Sequence, residues 1–341
     1  MDENKNKIDF LAIGDVVIDA VIQLKDAHVH CRIDTDACEL CLRFGDKVPY
    51  DLVVVLPAVG NSPNAAVATA RLGLNSALVS NIGDDKHGKD CLNSLENDKV
   101  IIKYVTIQKN KRTNYHYVLW YDADRTILIK HTEFDYKFPL SEEVSWIYLS
   151  SLAENSLPYH EEISEYLKNH PNTKLAFQPG TFQMKFGTRN LKDIYKRTEI
   201  FFCNVEEAER ILVKDVSNNK NRGEAILELS KGIKALGPKI VVLSDGPEGA
   251  YLYDNNELWY MPIYPDIAPP LERTGAGDAF SSTFTAALAL GKTTLEAFTW
   301  GPINSMSVVQ EIGAQKGLLT REKLEEYLKN APDSYKPRKI N

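Results

Sequence analysis

The sequence predicts an α/β protein with a mainly parallel sheet, helices on both faces, and a small β-sheet standing off the body as a lid. Three observations predict it. Short apolar runs alternate with helical patterns along most of the chain. Two strand-rich stretches interrupt that rhythm. A glycine-rich turn opens an apolar helix toward the C-terminal end.

Ile8 to Ile13 is a buried-strand pattern ending at Gly14-Asp15. A parallel sheet places its ligands beyond such carboxyl ends, so Asp15 and Asp19 are candidates to bind a polyol, or else a turn and a surface aspartate. Residues 16–56 then read as strands (Val16-Val17-Ile18, Cys38 to Phe44, Leu52 to Leu56) rather than as a helix. A second strand-rich stretch runs Asn114 to Trp120 and Thr126 to His131 across the turn Tyr121-Asp122-Ala123-Asp124-Arg125. These two insertions, about 16–56 and 113–132, are the expected lid on one domain spanning 1–341. Such a lid excludes water from a reacting centre, and its open face could pair with another subunit.

His28, His30, Cys31, Cys38 and Cys41 lie in the first insertion, and Cys-x2-Cys near histidine invites a zinc reading. No second pair completes the usual spacing, and Cys38 and Cys41 would point to opposite faces of a strand, so ordinary strand cysteines are the competing reading. From Ala58 the chain reads Ala-Val-Gly60-Asn61-Ser62-Pro63-Asn64, with Ser62 expected as N-cap, Pro63 at the first helical position, and Gly73 closing the helix. Gly60 and Asn61 suit a hinge between lid and body, and Asn64 could offer its amide to a substrate hydroxyl.

Strands are expected at Ala77-Leu78-Val79, Ile101 to Val105, Ser145 to Leu149, Lys174 to Phe177, Ile200 to Cys203 and Lys239 to Leu243. Helices are expected at Lys86 to Asn97, Tyr159 to Asn169 and Lys192 to Arg197. Asn204 with Glu207 three residues on has the form of a capping box; an amide and carboxylates at a strand end could also hold hydrated Mg²⁺. Ser244-Asp245-Gly246-Pro247-Glu248-Gly249 is a turn that could meet nucleotide phosphates or ribose.

The most informative stretch is Glu272-Arg273-Thr274-Gly275-Ala276-Gly277-Asp278-Ala279-Phe280, leading into an alanine-rich helical pattern. A helix starting near Ala276 leaves its first N–H groups unpaired at the positive end of the dipole, and the glycines let an anion approach. Asp278 in the first turn places a carboxylate beside that cradle, as phosphoryl transfer to a hydroxyl requires. An ordinary helix start with a capping charge has the same letters. Other signatures fail. The first glycine of a P-loop would fall at Ala286, the third of a dinucleotide fingerprint is missing after Gly277, and no nucleophile elbow is completed after Ser62.

The 341 residues carry a net charge of −7, which argues against a general nucleic-acid binder. The N-terminus is polar, and no apolar run approaches membrane-spanning length. Five cysteines without a secretory signal point to a reducing cytoplasm.

Taken together, Gly14-Asp15 with Asp19, Gly60 to Asn64, Asn204 to Glu207, Ser244 to Gly249 and Thr274 to Asp278 resemble the PfkB/ribokinase family of carbohydrate and nucleoside kinases, over about Phe10 to Leu328. The resemblance implies a ribokinase-like three-layer α/β/α domain and an ATP-dependent phosphotransferase acting on an alcohol group. It implies that Asp278 is the base and that Gly275, Ala276 and Gly277 form the backbone anion hole. It puts Asp15, Asp19, Gly60, Asn61 and Asn64 on the substrate side; Gln178, ending a strand, could join the same pocket. Asn204, Ser244, Gly246, Gly249, Thr274 and Asn304 match the ATP side, and Glu207 matches a Mg²⁺ position acting through water. Glu272 and Thr274 match positions that help bind K⁺ in some members. The chain departs from the family pattern at Glu272, where aspartate is usual, and at Asn61, where a second glycine is common.

The resemblance leaves the acceptor open. The lid's Tyr115, Tyr117, Trp120 and Tyr121 could stack on a nucleoside base, and Arg112, Arg125 and Lys130 could hold a sugar phosphate. Gly313-Ala314-Gln315 looks similar to a segment of nucleoside-phosphorylating members. A sugar or sugar derivative is expected ahead of a nucleoside, with a homodimer through the lid as an expected assembly. A non-catalytic ligand-binding or assembly protein is the reading from another class; an altered Asp278 or a broken glycine pair would favour it.

Overall fold

A computed structural model of the chain describes residues 7–31, 38–122, 124–216 and 221–340; the polar N-terminus and Ala123 of the expected turn lie outside them. The main sheet has ten strands. In sequence order they are β1 (Phe10–Ile13), β6 (Ser76–Gly83), β7 (Val105–Gln108), β10 (Trp146–Leu149), β11 (Lys174–Phe177), β12 (Thr198–Asn204), β13 (Ile240–Ser244), β14 (Ala250–Asp254), β15 (Glu257–Met261) and β16 (Arg338–Lys339). Their spatial order is β16-β15-β14-β13-β12-β11-β10-β1-β6-β7. From β7 to β13 all neighbours are parallel, and β14 to β16 close one edge antiparallel.

Strand alternation sorts the core into two layers. Phe10 and Ala12 of β1 face the layer holding α1 (Asn61–Arg71), α2 (Lys86–Asn97), α8 (Ala276–Ala289), α9 (Thr294–Val308) and α10 (Arg321–Lys329). Leu11 and Ile13 face the other, with α3 (Leu157–Asn169), α5 (Lys192–Arg197), α6 (Val205–Leu212) and α7 (Arg222–Ala235). Helix α8 is apolar on nearly every side because it lies inside the first layer. Phe284 is wholly buried there, a burial contributing about 2 kcal/mol.

The lid is a separate four-stranded sheet, ordered β5-β2-β8-β9, from β2 (Val17–Leu24), β5 (Tyr50–Val59), β8 (Asn114–Tyr121) and β9 (Asp124–Leu128). Strand β2 leaves the end of β1 after Gly14-Asp15. Strand β5 runs directly into α1 through Gly60, whose φ of 118° belongs to glycine and whose added Cβ would sit 2.8 Å from the Asp15 carbonyl. Both crossings place lid residues above the carboxyl ends of the central strands.

Several expectations change. Gly60, not Ser62, caps α1; Ser62 lies in the first turn, where its hydroxyl donates to the Ile13 carbonyl at 2.7 Å and meets the Ser150 hydroxyl. Ile101 makes only a single bridge to Ala77, because a turn closed by Val105 N–H on the Ile102 carbonyl delays the edge strand until β7. Helix α4 (Thr181–Asn190), unanticipated, follows β11. The zinc candidates form a two-stranded hairpin, β3 (His28–Cys31) with β4 (Cys38–Cys41), whose facing cysteines Cys31 and Cys38 are disulfide-bonded. Cys41 is exposed with a free thiol, and among the described residues no cluster of three ligands able to hold a metal forms. No helix of the described chain is long and apolar enough to cross a membrane.

Candidate active site

The site is assembled where α8 begins. Gly275 caps the helix at φ 78°, and a Cβ there would come within 2.3 Å of Ala314 Cβ. Gly277 is exposed, with only Gln178 Nε2 near its ideal Cβ position, at 4.0 Å. First-turn N–H groups have no earlier helical carbonyl to pair with, and the Ala276 N–H reaches the Arg273 carbonyl only at 3.5 Å, so this end of α8 can present donors to an incoming anion.

Asp278 is 8% exposed, and three side-chain amides converge on it. Asn61 Nδ2 donates to Oδ1 at 2.8 Å, Asn64 Nδ2 to Oδ2 at 2.8 Å, and Gln178 Nε2 to Oδ1 at 3.2 Å. Two of these amides are themselves oriented. Gln315 Nε2 donates to Asn64 Oδ1 at 3.0 Å, while the Ser281 and Tyr148 hydroxyls occupy Gln178 Oε1. With their oxygens occupied, both amides must turn their N–H groups to the carboxylate. Burial pushes the Asp278 carboxyl up; the amides and the Arg125 charge pull it back, leaving it above the usual carboxylate value.

A cavity of about 390 Å³ lies between this helix start and the lid. Its polar wall contains Asp15, Asp19, His116, His131 and Arg125, with Gly60, Asn61, Asn64, Glu272, Thr274, Gly275 and Gly277 around the reacting end. Its apolar wall comes from the lid, including Val17, Val21 and Val118, and from Phe182 on α4, which packs edge-on against His131. Asp15 Oδ1 accepts from the Tyr136 hydroxyl at 2.8 Å, yet burial still pushes this carboxyl up to about 7. His131 is pushed the other way, below the usual imidazole value, mainly by burial and then by His116. Both shifts run toward uncharged forms, as a low-dielectric wall requires.

Not all of the other expected residues line the cavity. Asn204 and Glu207 form a reciprocal capping box at 2.7 and 2.9 Å, so the structural reading of that pair holds. The Glu207 carboxyl is raised mainly by burial, and the Asp278 charge adds to it, which places the two carboxylates in one electrostatic field. Ser244, Gly246 and Gly249 lie on the β13–β14 turn, outside the cavity; there Arg222 holds Asp245 through two hydrogen bonds at 2.5 and 3.1 Å. Ala276 points its carbonyl at the Ser305 hydroxyl, 2.7 Å away. Glu272 is buried and accepts from the Gly313 N–H at 2.6 Å.

Asn304 departs from expectation. It is wholly buried, donating to Thr283 Oγ1 at 2.7 Å and accepting from Leu319 N–H at 3.0 Å, so its amide joins α8, α9 and the 319 segment instead of facing a ligand. The lid aromatics also turn away from the cavity. Tyr115 packs between His87 and Tyr117, and Trp120 donates to the Asp122 carbonyl. Arg112 and Lys130 are exposed, and of the three expected basic residues only Arg125 lines the cavity. Sequence reasoning missed His116, His131, Phe182 and Tyr136, which share no motif with Asp15.

A family model described as pfkB family carbohydrate kinase matches residues 30–321. An ATP-dependent 6-phosphofructokinase of Thermoanaerobacterium thermosaccharolyticum is 26% identical over 324 residues, covering 90% of each chain. Bacillus subtilis ribokinase is 25% identical, covering 79% of this chain and 87% of its own. Among solved structures, Arabidopsis thaliana ribokinase complexed with ribose and ATP superposes with a TM-score of 0.76 at 19% identity, covering 95% of this chain and 99% of its own. A nucleoside kinase of Methanocaldococcus jannaschii gives 0.72 at 17%, with the same coverage.

Proposed function

The chain belongs to the pfkB family of carbohydrate kinases, and we propose that it moves the γ-phosphate of ATP to an alcohol group of a sugar or sugar derivative. The observation that carries this reading is Asp278, held by three amides, two of them themselves oriented, in the first turn of a helix that starts at the cavity beneath the lid. An acceptor hydroxyl placed there gives its proton to Asp278 as its oxygen bonds to the γ-phosphorus. The bond from phosphorus to the bridging oxygen breaks, and ADP leaves. The N–H groups of 275–277 stabilise charge on the transferring group, and the lid keeps water out.

The half-buried Glu207, sharing a field with Asp278, fits a hydrated Mg²⁺, which needs few protein carboxylates and supplies charge neutralisation on the phosphates. Glu272 and Thr274 are proposed to contribute to a K⁺ site, Glu272 with the oxygen not spent on Gly313. Ser244, Gly246, Gly249 and Asn204 are proposed to border the nucleotide. The whole chain, 1–341, is proposed to act as one kinase domain with its lid, in the cytoplasm.

A nucleoside is the second reading. The apolar lid wall with Phe182 could receive a base, although no lid aromatic supplies it. Pairing of two lids is proposed from the exposed Val55, Tyr117 and Leu128; a monomer mass by light scattering at working concentration would refute it.

The test is a coupled ATP-consumption assay with Mg²⁺ and K⁺ over free sugars, sugar phosphates, sugar acids and nucleosides. Asp278→Asn should lower turnover about 10²- to 10⁴-fold while ATP binding persists. Unchanged turnover would remove Asp278 from the mechanism.

A further inference from the structure

We infer that the acceptor is a neutral polyol, a free sugar or a nucleoside and not a sugar phosphate or sugar acid, and that two aspartate–histidine pairs at the root of the lid select it. This rests on the kinase reading above. The first pair bridges body and lid. Asp15 Oδ2, beyond β1, faces His131 Nδ1, beyond β9, at 3.8 Å. The second lies within the lid, where Asp19 and His116 are opposite residues of β2 and β8, with Oδ1 and Nδ1 3.6 Å apart.

Both separations exceed a hydrogen bond. Asp15 Oδ2, Asp19 Oδ1, His116 Nε2 and His131 Nδ1 are all buried without a protein partner, and Asp15 and His116 are only 5% and 8% exposed. Four orphaned polar atoms in one wall are far more than folded proteins leave without purpose. They are also of complementary kinds. A carboxylate accepts, while an imidazole offers one donor and one acceptor nitrogen. A hydroxyl both donates and accepts, so each pair can hold one hydroxyl, and the two together suit a diol. A phosphate or carboxylate only accepts, and would face the Asp19 carboxylate and, wherever it is ionised, that of Asp15.

The charges around the cavity point the same way. Asp15, Asp19, Glu272 and Asp278 all line it, whereas Arg125 is the only lysine or arginine among the lining residues described. Arg125 stands on β9 of the lid, and its charge is felt by Asp278, so it already has an anion to face. Burial, and then His116, push His131 below the usual imidazole value, away from its charged form.

The experiment compares kcat/KM for matched acceptors: fructose with its 1- and 6-phosphates, glucose with gluconate, and adenosine with its 3′- and 5′-monophosphates. Phosphates at either end ensure that a blocked hydroxyl is not mistaken for rejected charge. The best neutral acceptor should exceed its charged counterparts by about 100-fold or more. His131→Phe and His116→Phe should each raise acceptor KM roughly 10-fold while ATP KM stays within about twofold, and glutamine at either position should restore part of the loss. Equal or better use of a phosphorylated or acidic acceptor overturns the inference, as do unchanged acceptor KM values in both phenylalanine variants. Silence toward every acceptor would count against the kinase reading instead. Calorimetric titration of the same acceptors into the wild-type protein then decides by itself whether neutral or anionic polyols bind.

Discussion

Replacing Asp15 by asparagine should make this protein more stable, and increasingly so as the pH rises. Burial lifts the Asp15 carboxyl from 3.8 to about 7, so the native state holds a proton that the unfolded chain has released. Where the native state binds more protons, stability falls with pH; the loss begins near the unfolded value and ends above the folded one. The full displacement corresponds to about 4 kcal/mol given up by pH 8, of which roughly a third is already given up at pH 5. Asp15→Asn abolishes the titration but leaves a side-chain oxygen to accept from the Tyr136 hydroxyl. The stability gap between variant and wild type should therefore widen by about 2–3 kcal/mol between pH 5 and pH 8. Urea unfolding followed by tryptophan fluorescence at pH 5, 6.5 and 8 measures it, and titrating groups distant from Asp15 cancel in the difference. The same variant should lose acceptor affinity, since the amide presents a donor where a hydroxyl needs an acceptor. A gap that stays flat with pH, or one that closes as pH rises, would refute the argument that burial dominates at Asp15.

Three further outcomes follow from the same geometry. Gly275→Ala combines a positive φ with a Cβ 2.3 Å from Ala314, and should cost about 1–3 kcal/mol in thermal unfolding along with most turnover. Gln315→Leu frees Asn64 to rotate its amide, so kcat should fall roughly 10-fold with ATP KM unchanged; a pure KM effect would point to acceptor contact instead. Cys31→Ser with Cys38→Ser, or reduction of the wild type, should leave turnover within about twofold, because the hairpin carrying the disulfide is exposed and pairs with neither sheet. A large loss would tie that hairpin to the lid's closure.

Much of the architecture was legible because it is written in local periods. The alternation of β1, β6, β10, β11 and β12 with helices follows from runs of four to eight residues, and the start of α8 from two glycines and a small residue. The Asn204–Glu207 box was legible for the same reason, being closed within one helical turn. Where two local signals competed, the tertiary structure chose. Ser62 has the letters of an N-cap, but its hydroxyl is drawn to the ends of β1 and β10, and Gly60 caps the helix instead.

The sequence by itself determined the alternation of strands and helices, the two stretches that supply the lid strands and the glycine-rich start of α8, since each is encoded within a few residues. Only the tertiary structure decided what surrounds Asp278. Asn61, Asn64 and Gln178 were expected to meet substrate, yet all three reach a carboxylate 217, 214 and 100 residues away. Asn304, expected beside a nucleotide, became a buried tie between helices. The pairing of Asp15 with His131 and of Asp19 with His116 depends on strand order and on a parallel register within the lid. Spacing along the chain carries no information about either, because strand order is set by how whole faces bury against one another.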